Sequence, residues 1–270
     1  MANYKTKKRF GQHFLHDGGV IQKIIHDINP QASERFVEIG PGLGALTFPL
    51  LEKIDALDVV EIDRDVIARL EQYQNKKLTI HSIDALKFDL STLSTNPSSG
   101  TAVSEKESLL RVVGNLPYNI STPLIFHLLE YAHLIKDMHF MLQNEVVQRI
   151  TAPPHSKTYG RLSVMVQYYC ETKYLLFVSP ESFKPPPKVD SAILRLTPWK
   201  KMPYKANDET YLSKLVAQAF SMRRKTLRNT LKKMLSSEQI ESAGIDPSLR
   251  PENISVAEYV TLSNLTPIST

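Results

Sequence analysis

Cysteine is almost absent from this 270-residue sequence, which contains only Cys170. A single thiol excludes an intrachain disulfide and any zinc site that is built from several cysteines, and we expect no metal site. It also favours a reducing compartment, because disulfide-bonded proteins belong mainly to oxidising ones. Cysteine usage therefore predicts a cytoplasmic protein.

Long apolar runs are also missing. No stretch approaches the roughly 18 consecutive apolar residues that a transmembrane helix requires. The basic start MANYKTKKRF is not followed by the apolar segment of about 7–15 residues that marks a secretory signal. With 42% hydrophobic and 23% charged residues, the composition is that of an ordinary globular protein. We expect no membrane partner, and the lack of an obvious dimerisation motif favours a monomer.

Positive charge is concentrated in one part of the chain. The formal net charge is +5, but residues 200–233 alone carry +8, from ten basic and two acidic side chains. The remainder of the chain is therefore slightly acidic. A local basic surface is typical of proteins that bind polyanions. A solvated helix face gives the same pattern, so charge alone leaves both interpretations open.

Strands and helices alternate through most of the chain. RFVEIG and LLRVVGN predict buried strands, whereas GGVIQKIIHDI and RDVIARLEQY have apolar residues at helical spacing. This alternation predicts a Rossmann-like α/β fold, with a mostly parallel central sheet and helices on both faces. The Ser- and Thr-rich stretch 91–108 is expected to be an exposed, mobile loop. KYLLFVS and SAILRLTPW predict a hairpin-like pair of strands joined by a proline-rich loop.

After Trp199 the pattern changes to helices only. The stretch YLSKLVAQAFSMRRKTLRNTLKKML has apolar residues at helical spacing. In one continuous helix, Arg224, Arg228 and Lys232 would lie on the same face, because they are four residues apart. We therefore expect an α/β domain over residues 1–201 and a small all-α domain over residues 202–270.

A glycine-rich turn follows the strand RFVEI, in VEIGPGLGALT. Gly40 and Gly42 let backbone N–H groups approach a ligand closely. The next two strands end at Glu61 and Asp84, whose carboxylates suit the hydroxyls of a ribose and the amine of an adenine, respectively. The glycine spacing also fits a dinucleotide-binding loop, and either acid could instead cap a helix.

The next predicted strand ends in the tetrapeptide NLPY, residues 115–118. The Asn115 amide oxygen and the carbonyl of Leu116 or Pro117 can accept both hydrogens of an exocyclic adenine amine. The nitrogen lone pair then points at a methyl donor, and orientation supplies most of the catalysis. Pro117 stiffens the loop, and Tyr118 offers a face on which the base can stack. A turn with a core tyrosine is the alternative explanation.

Four ordered motifs, KKRFGQHFL, VEIGPGLGALT, NLPYNIST and SPESFKPPPKVDSAI, resemble those of the ribosomal RNA adenine dimethyltransferases. The match is closest to the small-subunit, KsgA-type branch, and it extends over nearly the whole chain. The resemblance implies a class I methyltransferase that uses S-adenosylmethionine. Its expected product is N6,N6-dimethyladenosine at two adjacent adenosines near the 3′ end of small-subunit (16S) rRNA. The implied partners are this rRNA and the assembling pre-30S subunit.

The resemblance also assigns residues by position. The implied cofactor-binding set is His13, Leu15, Gly40, Gly42, Glu61, Ile62, Asp84, Ala85 and Asn115. The family often has Asn where this chain has His13, so a backbone contact would survive the change and a side-chain amide contact would not. The implied catalytic set is Asn115, Leu116, Pro117, Tyr118 and Phe183, with Phe183 stacking on the face of the base opposite Tyr118. The implied RNA-docking set, which would recognise shape more than sequence, is Arg223, Arg224, Lys225, Arg228 and Lys232.

Three other functions remain open. The first is a large-subunit rRNA methyltransferase of the resistance type, which differs in its RNA and not in its chemistry. The second is a ribosome assembly factor that has lost turnover, although intact Glu61, Asp84 and Asn115 argue against it. The third is an NAD-dependent oxidoreductase, which would have no use for the NLPY element.

Overall fold

The structure, a computed structural model, describes residues 13–94, 109–222 and 224–265. Its strands are β1 (Phe14–Leu15), β2 (Arg35–Ile39), β3 (Leu57–Glu61), β4 (Leu78–Ser82), β5 (Leu110–Asn115), β6 (Ile135–Gln143), β7 (Cys170–Val178), β8 (Phe183–Lys184) and β9 (Ser191–Pro198). Its helices are α1 (Gly18–Ile28), α2 (Thr47–Leu51), α3 (Arg64–Glu71), α4 (Ser91–Ser94), α5 (Ser121–Leu129), α6 (Asn144–Ile150), α7 (Arg161–Tyr169), α8 (Glu209–Ala219), α9 (Leu227–Thr230), α10 (Ser237–Ser242) and α11 (Val256–Asn264).

Seven strands form the central sheet, in the order β4-β3-β2-β5-β6-β9-β7. The five strands from β4 to β6 are parallel, and β9 is antiparallel to β6. The Rossmann-like, mostly parallel sheet is thereby confirmed. The two strands expected to pair, β7 and β9, are neighbours in this sheet. Within the stretch predicted to be a loop, residues 91–94 form the short helix α4, and residues 95–108 lie outside the described residues.

The strand order reverses between β2 and β5. The chain proceeds from β2 to β3 and β4 on one side, and then places β5 and β6 on the other. Such a switch point opens a crevice at the carboxyl ends of the strands, which is where α/β folds bind ligands. Gly114 brings β5 close to β2, because a Cβ at this position would lie only 2.4 Å from the Ile39 carbonyl oxygen.

A second, two-stranded sheet joins two motifs that are far apart in the sequence. The antiparallel strands β1 and β8 pair Phe14 with Lys184 and Leu15 with Phe183. The N–H of His16 extends the pairing by donating to the Ser182 carbonyl (2.9 Å). The N-terminal motif GQHFL and the proline-rich motif ESFKPPP are thus held side by side.

The chain separates into two compact units. One contains the described residues of Met1–Val147 and Lys173–Pro198, and the other those of Gln148–Thr172 and Trp199–Thr270. The second unit therefore begins close to the boundary that we expected between residues 201 and 202, but it also includes α7. Helix α7 packs against α8 and α11, and the hydroxyl groups of Tyr168 and Tyr169 donate to Glu209 (3.2 and 2.9 Å). The exact boundary at 201/202 stays a prediction.

The condition under which Arg224, Arg228 and Lys232 would share one face, a continuous C-terminal helix, is not met. Helix α8 ends at Ala219, a single 3-10 turn follows, and α9 begins only at Leu227. The N–H groups of Leu227 and Arg228 donate to the carbonyls of Leu249 and Pro247 (2.8 and 3.0 Å) instead of to a preceding helical turn. A tertiary hydrogen-bond pattern therefore starts a new helix here. In the described part of the chain, no helix combines the length and apolarity needed to cross a membrane.

Candidate active site

An open cavity of about 260 Å³ lies at the carboxyl ends of β2 to β5. Its walls come from the N-terminal segment, from the glycine-rich turn after β2, and from the ends of the next three parallel strands along the chain. Eleven of the predicted cofactor and catalytic residues line it, namely His13, Leu15, Gly40, Gly42, Glu61, Ile62, Asp84, Asn115, Leu116, Pro117 and Tyr118. The parallel arrangement of the strands gathers these residues, which the sequence separates by about a hundred positions.

Gly42 gives the glycine-rich turn a shape that other residues adopt with difficulty. Its φ of +55° lies in the left-handed region, and a Cβ at this position would meet the Phe14 ring at 3.1 Å. The turn therefore runs directly beneath the N-terminal segment that closes one side of the cavity.

Glu61 organises the loop that follows β3. Its Oε1 accepts hydrogen bonds from the N–H groups of Ile62 and Asp63, both at 2.8 Å. Asp63, and not Glu61, caps the next helix by accepting from Asp65 N–H (3.1 Å). Burial raises the pKa of Glu61 above its ordinary value, against the opposing effect of the N–H groups of Asp63, Ile62 and Gly42. Since Oε1 already accepts from Ile62 and Asp63, Oε2 is the oxygen with more capacity left to accept from a ligand.

Asp84 combines the two roles that the sequence left open. Its Oδ1 accepts from Leu86 N–H (3.0 Å) and caps the short 3-10 helix Ala85–Lys87, while the residue also lines the cavity. One carboxylate oxygen thus serves the backbone and the other remains for a ligand. Leu86 contributes to the cavity wall, and Ala85 is not among the wall residues. The cofactor contact of Ala85 stays a prediction.

Asn115 has its amide orientation fixed by a backbone carbonyl. Its Nδ2 donates to the His13 oxygen (3.0 Å), so Oδ1 is the group that can accept from a substrate. Of the two carbonyls considered beside it, that of Pro117 already accepts from Ile120 N–H (3.1 Å). Leu116 O is therefore the better candidate for the second acceptor.

Tyr118 is held in place at both its hydroxyl and its ring. The hydroxyl shares a hydrogen bond with Ser191 Oγ (2.7 Å). The ring lies nearly parallel to the His13 imidazole, with an interplanar angle of 22° and centroids 6.1 Å apart. The Tyr118 side chain is thus preorganised at the cavity wall, which is what a stacking platform requires.

The His13 side chain contacts protein groups on the proline-rich side of the cavity. Its Nδ1 lies 2.8 Å from the Pro185 carbonyl oxygen, and since a carbonyl only accepts, Nδ1 is the protonated nitrogen of this tautomer. His13 therefore links three elements: its backbone meets Asn115, its imidazole stacks on Tyr118, and its Nδ1 binds the segment after β8.

The structure does not place Phe183 at the cavity. Its side chain is only 1% exposed and packs in the hydrophobic core with Leu15, its partner across β1 and β8. An aromatic ring that is enclosed on all sides presents no face to an incoming base. The β1–β8 pairing turns the ring into the core, so this conformation does not support the stacking role of Phe183, which stays a prediction.

Glu38 is a cavity residue that the sequence reasoning missed. It lies on β2, is 2% exposed, lines the cavity, and accepts a hydrogen bond from Thr47 Oγ1 (2.6 Å). Burial raises its pKa to about 7. The available signal was a lone carboxylate within the otherwise apolar strand FVEI, a position where buried acids are rare unless they are paired.

Replacing Glu38 with glutamine should stabilise the ligand-free protein at pH 8. Because the folded-state pKa is raised from 4.5 to about 7, the unfolded chain loses this proton first as the pH rises. The wild-type protein therefore loses stability between these two values. Urea unfolding of both proteins should show that the advantage of the variant in unfolding free energy grows by on the order of 2–3 kcal/mol from pH 5 to pH 8. An advantage that is equal at both pH values would contradict the buried-carboxylate explanation.

The predicted RNA-docking residues belong to the second unit. Arg224, Lys225, Arg228 and Lys232 are exposed, and Arg223 lies outside the described residues. They do not share one helix, because Arg228 belongs to α9, whereas Lys225 precedes it and Lys232 follows it. The exposed charges are therefore present, but the geometry expected from a single helix is not.

The fold and the site together define a methyltransferase of the Rossmann-like class. The structure is similar to that of a dimethyladenosine transferase from Plasmodium falciparum, with a TM-score of 0.75 and 25% identity over 93% of this chain and 96% of that one. It also shares the fold of the 23S rRNA methyltransferase ErmE, with a TM-score of 0.70 and 22% identity over 93% and 98% of the two chains.

Sequence comparison then gives the family. Residues 3–267 match the family model described as ribosomal RNA adenine dimethylase. The chain is 55% identical to the ribosomal RNA small subunit methyltransferase A of Alcanivorax borkumensis, over 98% of this chain and 91% of the relative. It is 56% identical to the protein of the same name from Hydrogenovibrio crunogenus, over 98% of both. The chain belongs to the ribosomal RNA adenine dimethylase family, as its motifs indicated.

Proposed function

We propose that this protein transfers methyl groups from S-adenosylmethionine to N6 of two adjacent adenosines near the 3′ end of small-subunit rRNA. The product is N6,N6-dimethyladenosine, and the substrate is the assembling pre-30S subunit. The observation that carries the reaction is the hydrogen bond from Asn115 Nδ2 to His13 O, which leaves an amide oxygen for the adenine amine. The choice of RNA is supported by relatives named small subunit methyltransferase A.

The cavity suits a positively charged nucleoside better than a dinucleotide. Three carboxyl groups line it, those of Glu38, Glu61 and Asp84, and no lysine or arginine is among the described residues of its wall. Glu38 is only partly ionised near neutral pH, because its pKa is about 7. The carboxylates of Glu61 and Asp84 would attract a sulfonium and an ammonium group, whereas a pyrophosphate would find no cationic side chain in the wall. The cavity charge therefore favours S-adenosylmethionine over NAD and argues against the oxidoreductase.

The chain offers a position for each part of this cofactor. Glu61 Oε2 would accept from the ribose hydroxyls, Asp84 would accept from the adenine amine, and the apolar side chain of Ile62, which is 49% exposed, would form a wall for the ring. Gly40 and Gly42 would bring the backbone close to the methionine part of the cofactor. When bound, S-adenosylmethionine supplies an electrophilic methyl group.

The contribution of the protein to the reaction is to orient the adenine amine. An exocyclic adenine nitrogen is a weak nucleophile, because its lone pair is delocalised into the ring. Asn115 Oδ1 and Leu116 O accept its two hydrogens, which draws the nitrogen toward tetrahedral geometry and aims the lone pair at the methyl group. Each transfer forms one N–C bond at N6 and releases one proton from the nitrogen to solvent. After the first transfer one hydrogen remains, so one of the two acceptors can still orient the nitrogen for the second. Positioning of this kind accounts for rate gains of several powers of ten.

Replacing Tyr118 with alanine should raise KM for the RNA substrate by about 5–150-fold, the value of one base–aromatic stack. Tyr118→Phe is the matched control, because it keeps the ring and removes only the hydrogen bond to Ser191. Steady-state kinetics with isolated subunits should give near wild-type KM for the phenylalanine variant. If both variants are equally impaired, the hydroxyl and not the ring face is what matters.

The basic residues of the second unit would dock the enzyme through rRNA phosphates, without reading the sequence. Neutralising Arg224, Lys225, Arg228 and Lys232 together should reduce the slope of log K against log salt by roughly 0.7–0.9 for each phosphate that is no longer neutralised. Filter binding at several salt concentrations measures the slope. An unchanged slope would contradict RNA docking by these residues and would favour the alternative that they form a solvated surface.

Deletion of the gene tests the proposed substrate. Primer extension across the 3′ region of small-subunit rRNA should lose its stops at the adjacent adenosines in the deletion strain, and a plasmid copy should restore them. Stops that persist there would contradict the proposal, and a change confined to 23S rRNA would favour the large-subunit alternative.

Since the substrate is an assembling subunit, we also propose that the protein acts in the cytoplasm. We propose that it acts as a monomer, because the sequence has no obvious dimerisation motif.

A further inference from the structure

A short irregular segment at the start of the second unit carries exposed aromatic and basic side chains together. This segment, residues 199–205, has the sequence WKKMPYK. Trp199 is 37% exposed and Tyr204 is 45% exposed. Lys200, Lys201 and Lys205 are exposed beside them. Exposed aromatic faces and cations together form a surface that suits unpaired nucleic-acid strands.

Hydrogen bonds fix both ends of the 199–205 segment. At its start, Trp199 donates from its backbone N–H to Tyr169 O (3.0 Å) and from its indole Nε1 to Gln167 O (3.2 Å). At its end, Lys205 O accepts from Asn264 Nδ2 (3.0 Å). The segment therefore has a defined conformation although it contains no helix or strand, and the indole is held in place while part of it faces solvent.

The lysines of the 199–205 segment are not neutralised by neighbouring acids. Within the described residues, no salt bridge involves any of the three. The nearest acids in the sequence are engaged elsewhere, since Asp208 caps α8 through Tyr211 N–H and Glu209 accepts from Tyr168 and Tyr169. The segment thus presents uncompensated positive charge next to aromatic faces.

We propose that the 199–205 segment binds single-stranded RNA. Bases stack on Trp199 and Tyr204, and phosphates contact Lys200, Lys201 and Lys205. This combination of stacking platforms and backbone-tracking cations is how proteins hold unpaired strands without sequence preference. The inference rests on the proposed function, because it adds a second contact to the same rRNA, separate from the residues of α9 and its flanking turns.

A membrane surface fits the segment less well. Tryptophan, tyrosine and lysine also occur at lipid interfaces, but an interfacial anchor needs a broad apolar face to enter the bilayer. The 199–205 segment contains no Leu, Ile, Val or Phe, and its methionine, Met202, is partly buried. RNA is therefore the occupant that the side chains favour.

Trp199 is the only tryptophan in the chain, so its fluorescence reports on this segment alone. Titration with a single-stranded RNA of about 12 nucleotides should quench the emission, because a stacked base contacts the indole. Heparin, a polyanion without bases, should bind with little quenching. Vesicles of phosphatidylglycerol should leave the emission unchanged, and a blue shift with vesicles but no response to RNA would overturn the proposal in favour of a membrane contact.

Variants of the segment then distinguish the contribution of base stacking to RNA binding from the contribution of charge. Tyr204→Ala should weaken RNA binding by about 5–150-fold and leave the tryptophan signal in place, while neutralising the three lysines should flatten the salt dependence. Phe177→Ala is the matched aromatic control, because Phe177 is 49% exposed on β7 between apolar neighbours. Neutralising Lys23, Lys53 and Lys76 removes the same charge from scattered exposed positions. Equal losses in the test and control variants would refute the site.

The two proposals fail in different ways. If wild-type protein dimethylates small subunits but RNA leaves Trp199 emission unchanged, the 199–205 site is wrong and the proposed function stands. If Trp199 is quenched by RNA but small subunits are not methylated, the segment binds RNA and the proposed substrate is wrong.

Discussion

Replacing Asn115 with alanine is expected to lower kcat for methyl transfer by about 10²–10³-fold, the usual cost of removing one polar group that is aligned with the reacting atom. The amide does two things at once in the structure. Nδ2 is bound to His13 O (3.0 Å), and Oδ1 is thereby directed to accept from the adenine amine. Alanine removes the acceptor, so the amine loses the orientation that makes its nitrogen reactive. RNA binding should persist, because the proposed phosphate contacts are made by other residues.

Asn115→Asp is the control for this result. Aspartate keeps an oxygen for the amine, but it replaces the N–H donor that holds His13 O, and two oxygens then face each other. Its kcat should fall between those of the wild type and the alanine variant. Single-turnover kinetics with isolated subunits, together with calorimetric affinities for S-adenosylmethionine, separate catalysis from binding. An alanine variant with kcat close to wild type would remove Asn115 from the mechanism.

Replacing Glu61 with alanine should raise the Kd for S-adenosylmethionine by about 10²–10⁴-fold. The variant would lose the two proposed hydrogen bonds from ribose hydroxyls to the carboxylate, and each hydrogen bond to a charged group contributes about 1.5–3 kcal/mol. The variant also lacks the two backbone hydrogen bonds that Oε1 accepts from Ile62 and Asp63. Isothermal titration calorimetry measures the affinity directly.

Glu61→Gln distinguishes the ligand contact from the loop contact. Glutamine can keep Oε1 as the acceptor for both N–H groups and replaces only Oε2, so a loss of affinity in this variant locates the ribose contact at Oε2. The pH dependence gives a second check. Since burial raises the pKa of Glu61, acidification removes the carboxylate sooner than for an ordinary glutamate. Wild-type affinity should therefore fall as the pH falls through this raised pKa, and the glutamine variant should lack that component. Full affinity in Glu61→Gln would contradict the assigned contact.

The main features of the fold and the cavity could be predicted because they depend on local patterns. Alternating apolar strands and amphipathic helices indicate a parallel sheet, and a parallel sheet brings its strand ends together. Gly40, Glu61, Asp84 and Asn115 therefore meet at one cavity, although no pattern in the sequence gives the distances between them.

The features that escaped prediction all depend on contacts between distant residues. The β1–β8 pairing buries Phe183, and residue type alone does not reveal burial. The break between α8 and α9 is made by carbonyls of Leu249 and Pro247, far along the chain. Glu38 lies within an apolar strand, and its place in the cavity wall depends on the distant segments that line the same cavity, which the strand pattern does not indicate.

The most direct measurement uses purified protein and small subunits from a strain that lacks the gene. Incubation with S-adenosylmethionine, followed by nuclease digestion and mass spectrometry of the 3′ fragment, counts methyl groups and locates them. We expect four methyl groups per subunit, two on N6 of each of two adjacent adenosines. Methylation of large-subunit RNA instead, or a single monomethylated adenosine, would contradict the proposed reaction.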